Sequence, residues 1–423
     1  MIKQLLEIYK RNRVKLLIFL SIFGPATITA MADNDAAGVA TYAIAGAKLG
    51  YPILFILVWV TVLLAITQEM GLRVSLVSRK GLADLIREYH GVGTSILIFS
   101  ALLIANMGVI VVNMAAFKMT ASILNLPAVP LIILMVGLMF LFVIKGDYKL
   151  TQNIMLLTSF FYLAYIFSAF KANPDWSLAF SNLVWPQGVN FTPDYWKNYL
   201  IIGLGVVGTT ITPWGQFFIS SFGLDKKISA TKIKYSQVEA YWGAFLTDFF
   251  SFFMIVATAA TLFSHGIQLT DGNQAIIAIE PFAGKLAALL FAFGIMNAGF
   301  MGVVIVGLTT TYAFSEFFGL TGSLDAPFNK SKIFYSFFIG QILIAFLIVL
   351  FPVIDLFKIV VTVQILNAMA LPAIFYFLIR FTNNSEIMGK YVNTKFQKWF
   401  AIGGTVIIAC ASVFAVYTTL TSM

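Results

Sequence analysis

The sequence predicts an all-α integral membrane protein of eleven transmembrane helices, arranged as two inverted repeats of five plus one, with helices 1 and 6 broken. Three observations carry this. Of 423 residues 60% are hydrophobic and 11% charged, too little charge for the surface of a soluble domain. Apolar runs of about 20 residues, the length that crosses a bilayer, recur eleven times along the chain. Two of these runs are interrupted by glycine and proline and stand five helices apart, the sequence sign of an inverted-repeat transporter with its site at mid-membrane.

The first run, about 16–46, follows the basic stretch MIKQLLEIYKRNRVK with no small-residue cleavage site after it, and it reads as an uncleaved anchor. Gly24, Pro25, the polar cluster Asp33-Asn34-Asp35 and Gly38 interrupt it. Runs near 51–76, 95–117, 127–144 and 149–170 complete a first repeat of about 16–171. The connection from Lys171 to Asn198 holds Pro174, Pro186 and Pro193, which break any long helix. The sixth run, about 199–222, reads GLGVVGTTITPWGQFFISS and is interrupted by Gly203, Gly205, Gly208, Pro213 and Gly215. Runs near 236–263, 286–314, 333–351 and 356–380 complete a second repeat of about 199–381, and 399–419 is an eleventh helix. The chain 1–423 therefore reads as a single transmembrane domain.

Charge in the connections sets the orientation. With the N-terminus cytoplasmic, the inner side collects twenty Lys and Arg against six outside, with Arg73 uncounted inside a helix, as the positive-inside rule requires. The C-terminus then lies outside, and a multi-pass protein of the plasma membrane is expected. Topology accounts for the net charge of +9. Its basic residues are shared among six loops and not gathered on one soluble face, so no nucleic-acid partner is implied. One cysteine, Cys410, excludes an internal disulfide framework, and two histidines, His90 and His265, cannot build a histidine-rich metal site. Oxygen ligands must do most of the chemistry.

The stretch MADNDAAGVA, Met31 to Ala40, carries that chemistry. An ionised Asp near the bilayer centre costs on the order of 3 kcal/mol even on the lenient insertion scale. On a continuous helix Asp33 and Asp35 would point about 200° apart, at roughly 100° per residue, so they converge on one ligand only if the backbone unwinds. Two roles fit Asp35: N-cap of a second half-helix starting at Ala36, or cation ligand, with or without capping.

The segment GPATITAMADNDAAGVATYAIAGAKLGY, Gly24 to Tyr51, resembles the first helix of the NRAMP family of divalent-metal transporters, with the Asp of the family's Asp-Pro-Gly-Asn motif falling on Asp35. Gln68 and Leu82-Ala83-Asp84 match the second helix and its loop, VGTTITPWGQFFISS the sixth, and Gln364 with LPAIFYFLIRFT the tenth. The resemblance implies a LeuT-like fold, with no cofactor and the metal as cargo. It also implies a metal site built from the motif Asp and Asn, a sixth-helix carbonyl and a sixth-helix Met. Here the Asn position is Gly38, the carbonyl position Thr209, the Met position Thr212, and the His after the proline is Trp214. Thioether favours soft ions, and carboxylate, carbonyl, hydroxyl and water favour hard ones.

The expected metal site is therefore Asp35, Asp33, Asn34, the Thr209 carbonyl, the Thr212 hydroxyl and Gln216, all oxygen. This suits Mg²⁺, which takes octahedral oxygen at about 2.1 Å and keeps several waters, and it resembles the NRAMP-related magnesium transporter branch. The family's third-helix acids fall on Asn113 and Ala116, which strips the implied proton path of titratable groups. The expected function is import of hydrated divalent cations, preferably Mg²⁺ and also Mn²⁺, by alternating access without proton coupling. The expected partners are the metal ion and the lipid bilayer, with no obligatory protein partner. Gly38, Gln364, Asn367, Asp248 and Asn113 are expected around the site or along the pathway. For Asp248 the alternatives are lining the inner exit or bonding a neighbouring helix, and for Gln364 and Asn367 outer-shell contact or interhelical bonding. Glu69 is expected to pair with Arg73 one turn on.

Three rival functions share some of these features. A proton-coupled Mn²⁺/Fe²⁺ importer is disfavoured by Thr212 and Gly38. An amino-acid transporter of the same fold is disfavoured because Asp33 and Asp35 would repel a substrate carboxylate. An intramembrane aspartyl protease needs two carboxylates facing each other from separate elements, and here the pair lies in one segment, so no enzyme is expected.

Overall fold

A computed structural model describes residues 29, 32–145, 162–225, 233–267, 285–320, 322, 324, 326, 328–351 and 356–421. Within them every regular element is helical. Eight helices are long and apolar enough to cross a membrane, and a shorter apolar helix spans Ala128–Ile144. The described parts of the first and fifth spans complete the eleven. The opening of the first span, most of the fifth and the basic N-terminal stretch lie outside the described residues.

Each boundary follows from local chemistry. Helix α1, Ala36–Leu49, starts after Asp35, whose extended backbone (φ −63°, ψ 177°) and side chain form an N-cap on Gly38 N–H, and it stops at Gly50 with φ 68°. A 3₁₀ turn at Tyr51–Ile53 leads into α2, Leu54–Ser78, which ends at the left-handed Arg79. Helix α3, Leu82–Ile123, begins well before the apolar run, because its first turns lie ahead of a break at Gly91 (φ 78°, ψ 176°). A side chain at Gly91 would meet nothing within 4 Å, so glycine is there for its backbone and not for packing. Helix α4 is Ala128–Lys145, α5 Leu163–Lys171 and α6 the short Trp176–Ser181.

The sixth span departs from expectation in two places. Pro193 does not break a helix: capped by Thr192, it sits in the first turn of α7, Pro193–Thr210, where a missing N–H is harmless. Nor do Gly203, Gly205 and Gly208 interrupt the span, since all three are helical. A Cβ at Gly208 would stand 1.9 Å from the Gln364 carbonyl, so this glycine lets two backbones touch. The break is at Ile211 (φ −111°, ψ 88°) and Thr212, before α8, Pro213–Asp225.

Helix α9, Ile233–Thr258, runs on through a π-helical turn at Ala259–Phe263. Then come α10 Lys285–Phe318, α11 Lys332–Val349, α12 Leu356–Asn383, the single turn α13 Ser385–Met388 and α14 Lys395–Thr421. The most extensive pairings are α3 with α10 and α2 with α9, each joining equivalent spans of the two halves. The broken spans α1 and α7–α8 lie inside this frame. Gly46 of α1 is so close to α9 that a Cβ there would come 2.4 Å from the Ile255 carbonyl. At one end of α2, Arg73 grips Glu69 at 2.6 Å and also bonds Asn393 and the Tyr391 carbonyl, while Gln237 and Gln397 donate to Glu69. This buried network ties α2, α9 and α14 together, the structural role expected of Glu69.

Candidate metal site between two broken helices

Three consecutive polar residues leave the first break in three directions. Asp35 Oδ1 accepts the Gly38 N–H at 2.7 Å, and its Oδ2 accepts from Asn113 Nδ2 at 2.6 Å. Asp33 faces the second break, where Thr212 Oγ1 donates to its Oδ1 and Gln68 Nε2 to its Oδ2, each at 3.2 Å. Asn34 turns to α9: its amide donates to the Thr247 carbonyl and accepts from the Ser251 hydroxyl, both at 2.9 Å. Unwinding at 33–35 thus lets both carboxylates stay buried (Asp33 1% and Asp35 3% exposed) within one break.

Proline chemistry shapes the other wall. The Thr209 carbonyl would ordinarily accept from residue 213, and Pro213 has no N–H to give. That carbonyl is therefore left without its helical donor at the end of α7. Thr212 Oγ1 accepts the Gly215 N–H at 3.1 Å, capping α8 as Asp35 caps α1, so each half-helix begins at a residue that also touches the site. Gly38 lies between the walls. A Cβ there would sit 2.5 Å from the Asp33 carbonyl, 3.3 Å from Thr209 Oγ1 and 3.5 Å from Asp35 Oδ1. The position has no room for a side chain.

The remaining polar groups sort by contact. Gln216 approaches the Thr67 hydroxyl at 3.4 Å. Among the described residues the carbonyl oxygens of Gln216 and Gln68 and the Thr209 hydroxyl are buried without a hydrogen-bond partner, a set of groups able to meet waters of a hydrated ion. Gln68 is the contact sequence reasoning missed; an amide beside Glu69 in an apolar span was the available signal. Tyr42, missed as well, joins the two broken helices through Thr210 Oγ1 at 2.7 Å.

Gln364 and Asn367 bond each other at 2.7 Å on α12. Asp248 is buried on α9, and neither of its oxygens meets the geometric criteria for a hydrogen bond among the described residues. His90 packs on Phe377 and His265 lies in the exposed turn after α9. Trp214 is fully buried in the same core cluster as Phe218 and Phe222.

Electrostatically the break holds two buried acids that no basic group faces. The ion pairs among the described residues are Arg73–Glu69, Lys80–Glu88 and Arg87–Asp84, and none involves Asp33 or Asp35. Both carboxylates are held only by neutral amides, hydroxyls and backbone N–H groups. Two buried acids without a basic partner leave a place for a cation. No cluster of three or more His, Cys, Asp or Glu suited to a metal is found among the described residues.

Residues 26–418 match the profile of the family described as natural resistance-associated macrophage protein-like (Nramp). The divalent metal cation transporter MntH of Granulibacter bethesdensis is 23% identical over 399 residues, 91% of this chain and 85% of that protein. MntH of Yersinia pestis (strain Pestoides F) is 25% identical over 392 residues, 89% of this chain and 90% of that protein. In structure the chain is similar to the Eremococcus coleocola manganese transporter, with TM-score 0.74 at 17% identity over 95% of this chain and 87% of that one. It is also similar to MHP1, a nucleobase-cation-symport-1 family transporter, with TM-score 0.53 at 14% identity over 95% and 93%. These likenesses give the LeuT-like helical fold, and the profile match over nearly the whole length gives the family: this chain belongs to the Nramp family.

Proposed function

We propose that this Nramp protein imports hydrated divalent cations, preferring Mg²⁺ and also accepting Mn²⁺, by alternating access without proton coupling. Relatives named divalent metal cation transporters support the general activity. The observation that carries the ion preference is the donor set of the break: Asp33, Asp35, the Thr209 carbonyl left open by Pro213, and the Thr212 hydroxyl, with unpartnered amide oxygens of Gln68 and Gln216 nearby. Hard oxygen without sulfur suits a hard ion, and few direct ligands suit one that keeps its waters. In this reading Asn34 is a strut to α9, Gly38 keeps the break open, and Asn113 holds Asp35 in place. Gln364 and Asn367 line the outer shell at most through water.

The same groups support reading the transport as uniport. Asn113 is neutral at every physiological pH, and no histidine stands at the break. The driving force suffices without a second ion: a divalent cation gains about 4.6 kcal/mol per 100 mV of inside-negative potential. In this reading the protein lies in the plasma membrane with its N-terminus cytoplasmic and its C-terminus outside, an orientation supported by the positive-inside distribution of its loops.

The test uses purified protein in liposomes carrying a metal indicator and a pH indicator. Mg²⁺ entry driven by an inside-negative potential, with internal pH unchanged, is the expected result. Passage of Mn²⁺ but no Mg²⁺ at millimolar concentration would overturn the ion preference. Acidification that requires the metal would overturn the uniport.

A further inference from the structure

Asp248 lies in the middle of α9, 4% exposed, with both carboxylate oxygens lacking a hydrogen-bond partner among the described residues. The neighbouring Thr61 hydroxyl gives its proton to the Leu57 carbonyl at 2.7 Å, and none of the ion pairs among the described residues involves Asp248. Beside it a cavity of about 450 Å³ opens between α2 and α9, walled by Leu57, Val58, Val62, Phe245, Phe249 and Phe252. Val58, Phe245 and Phe249 are 43%, 49% and 38% exposed. On two membrane-spanning helices such a face meets lipid, so the cavity is entered from the side, away from the break.

A buried carboxylate that no basic group neutralises calls for a cation. A hydrated divalent ion is a poor fit, because Asp248 and Thr61 are the polar lining of the cavity and the waters such an ion retains would face phenyl rings. An organic ammonium ion fits both features. Its charge meets Asp248, while its body lies against the phenylalanines, whose ring faces attract cations. Cavities of this size, apolar with one well-placed polar group, are the usual hosts of small organic ligands.

We infer that this cavity binds a lipophilic ammonium ion, a protonated amine on an apolar or aromatic body, arriving through the bilayer.

Calorimetric titration of the full chain in a nonionic detergent with 4-phenylbutylammonium chloride tests the inference directly, with 4-phenylbutan-1-ol as the neutral control. The expected result is ammonium binding that weakens about tenfold or more in Asp248→Asn, while the alcohol binds both proteins alike. Val58→Trp fills the cavity and leaves the carboxylate intact, so it is expected to weaken both ligands. Asp35→Ala is expected to bind the ammonium as the unaltered chain does. Equal ammonium affinity in Asp248→Asn and the unaltered chain overturns the inference. So does displacement of the ammonium by Mg²⁺ alone in the Asp35→Ala protein, which would make the cavity a metal station.

Discussion

Asn113 of α3 and Asp35 of the first break are locked together from both sides. The amide Nδ2 of Asn113 donates to Asp35 Oδ2 at 2.6 Å, while its Oδ1 accepts the N–H of Ala36 at 2.9 Å and of Ala37 at 3.4 Å. One neutral side chain thereby fixes the carboxylate and the first N–H groups of the buried half-helix that follows it. The expected consequence of Asn113→Ala is a loosened Asp35. A lost hydrogen bond to a charged group is worth about 1.5–3 kcal/mol, so apparent metal affinity in liposome uptake is expected to fall about tenfold or more. Asn113→Asp sets a second acid against Asp35, and two adjacent carboxylates share a proton. Its uptake is expected to become steeply dependent on external pH, measured across pH 5 to 8 against the unaltered protein.

Capping and metal binding by Asp35 can be separated. Asparagine caps helices about as well as aspartate, so Asp35→Asn is expected to keep thermal stability within about 1 kcal/mol, read by unfolding in detergent. Metal uptake is expected to vanish, because the charge is gone. If uptake survives in Asp35→Asn, the residue is a cap and nothing more.

Gly38 and Thr212 stand at the two positions that the sequence resemblance sets against the family's Asn and Met, and they are expected to respond differently. Gly38→Asn drives a Cβ toward the Asp33 carbonyl 2.5 Å away, a backbone atom that cannot swing aside. Overpacking of this kind costs about 1–3 kcal/mol, and uptake of Mg²⁺ and Mn²⁺ is expected to fall together. Thr212→Met loses its bonds to Asp33 and Gly215 N–H but brings a soft donor. Its ratio of Mn²⁺ to Mg²⁺ uptake is expected to rise, measured in competition with both ions present.

Arg73→Ala leaves Glu69 buried, 1% exposed, with no basic partner in its network. Breaking a buried ion pair on one side costs about 3–5 kcal/mol. Low yield and a lowered unfolding temperature are expected, with the ion preference of the folded fraction unchanged, because the network is separate from the break.

Much of this protein was written in its sequence because membrane folding leaves few options. Lipid offers no hydrogen-bond partners, so apolar runs must be helices, and their lengths and flanking charges give number and expected orientation. Asp35 as half-helix cap, Pro213 as one of the residues interrupting the sixth span and Glu69 with Arg73 were legible too, since each rests on contacts within a few residues of chain.

What tertiary structure decided is where side chains point across the bundle. Asn34 and Asp33 are adjacent and equally polar, yet one bonds α9 and the other bonds Gln68 and Thr212. That division depends on backbone angles in an unwound turn, which no periodicity encodes. Gly208 read as a helix breaker and proved to be a contact between α7 and α12, because a missing side chain says nothing about what fills the space. Asn113 read as a lost acid, and only the approach of α3 to the first break made it the residue that holds Asp35.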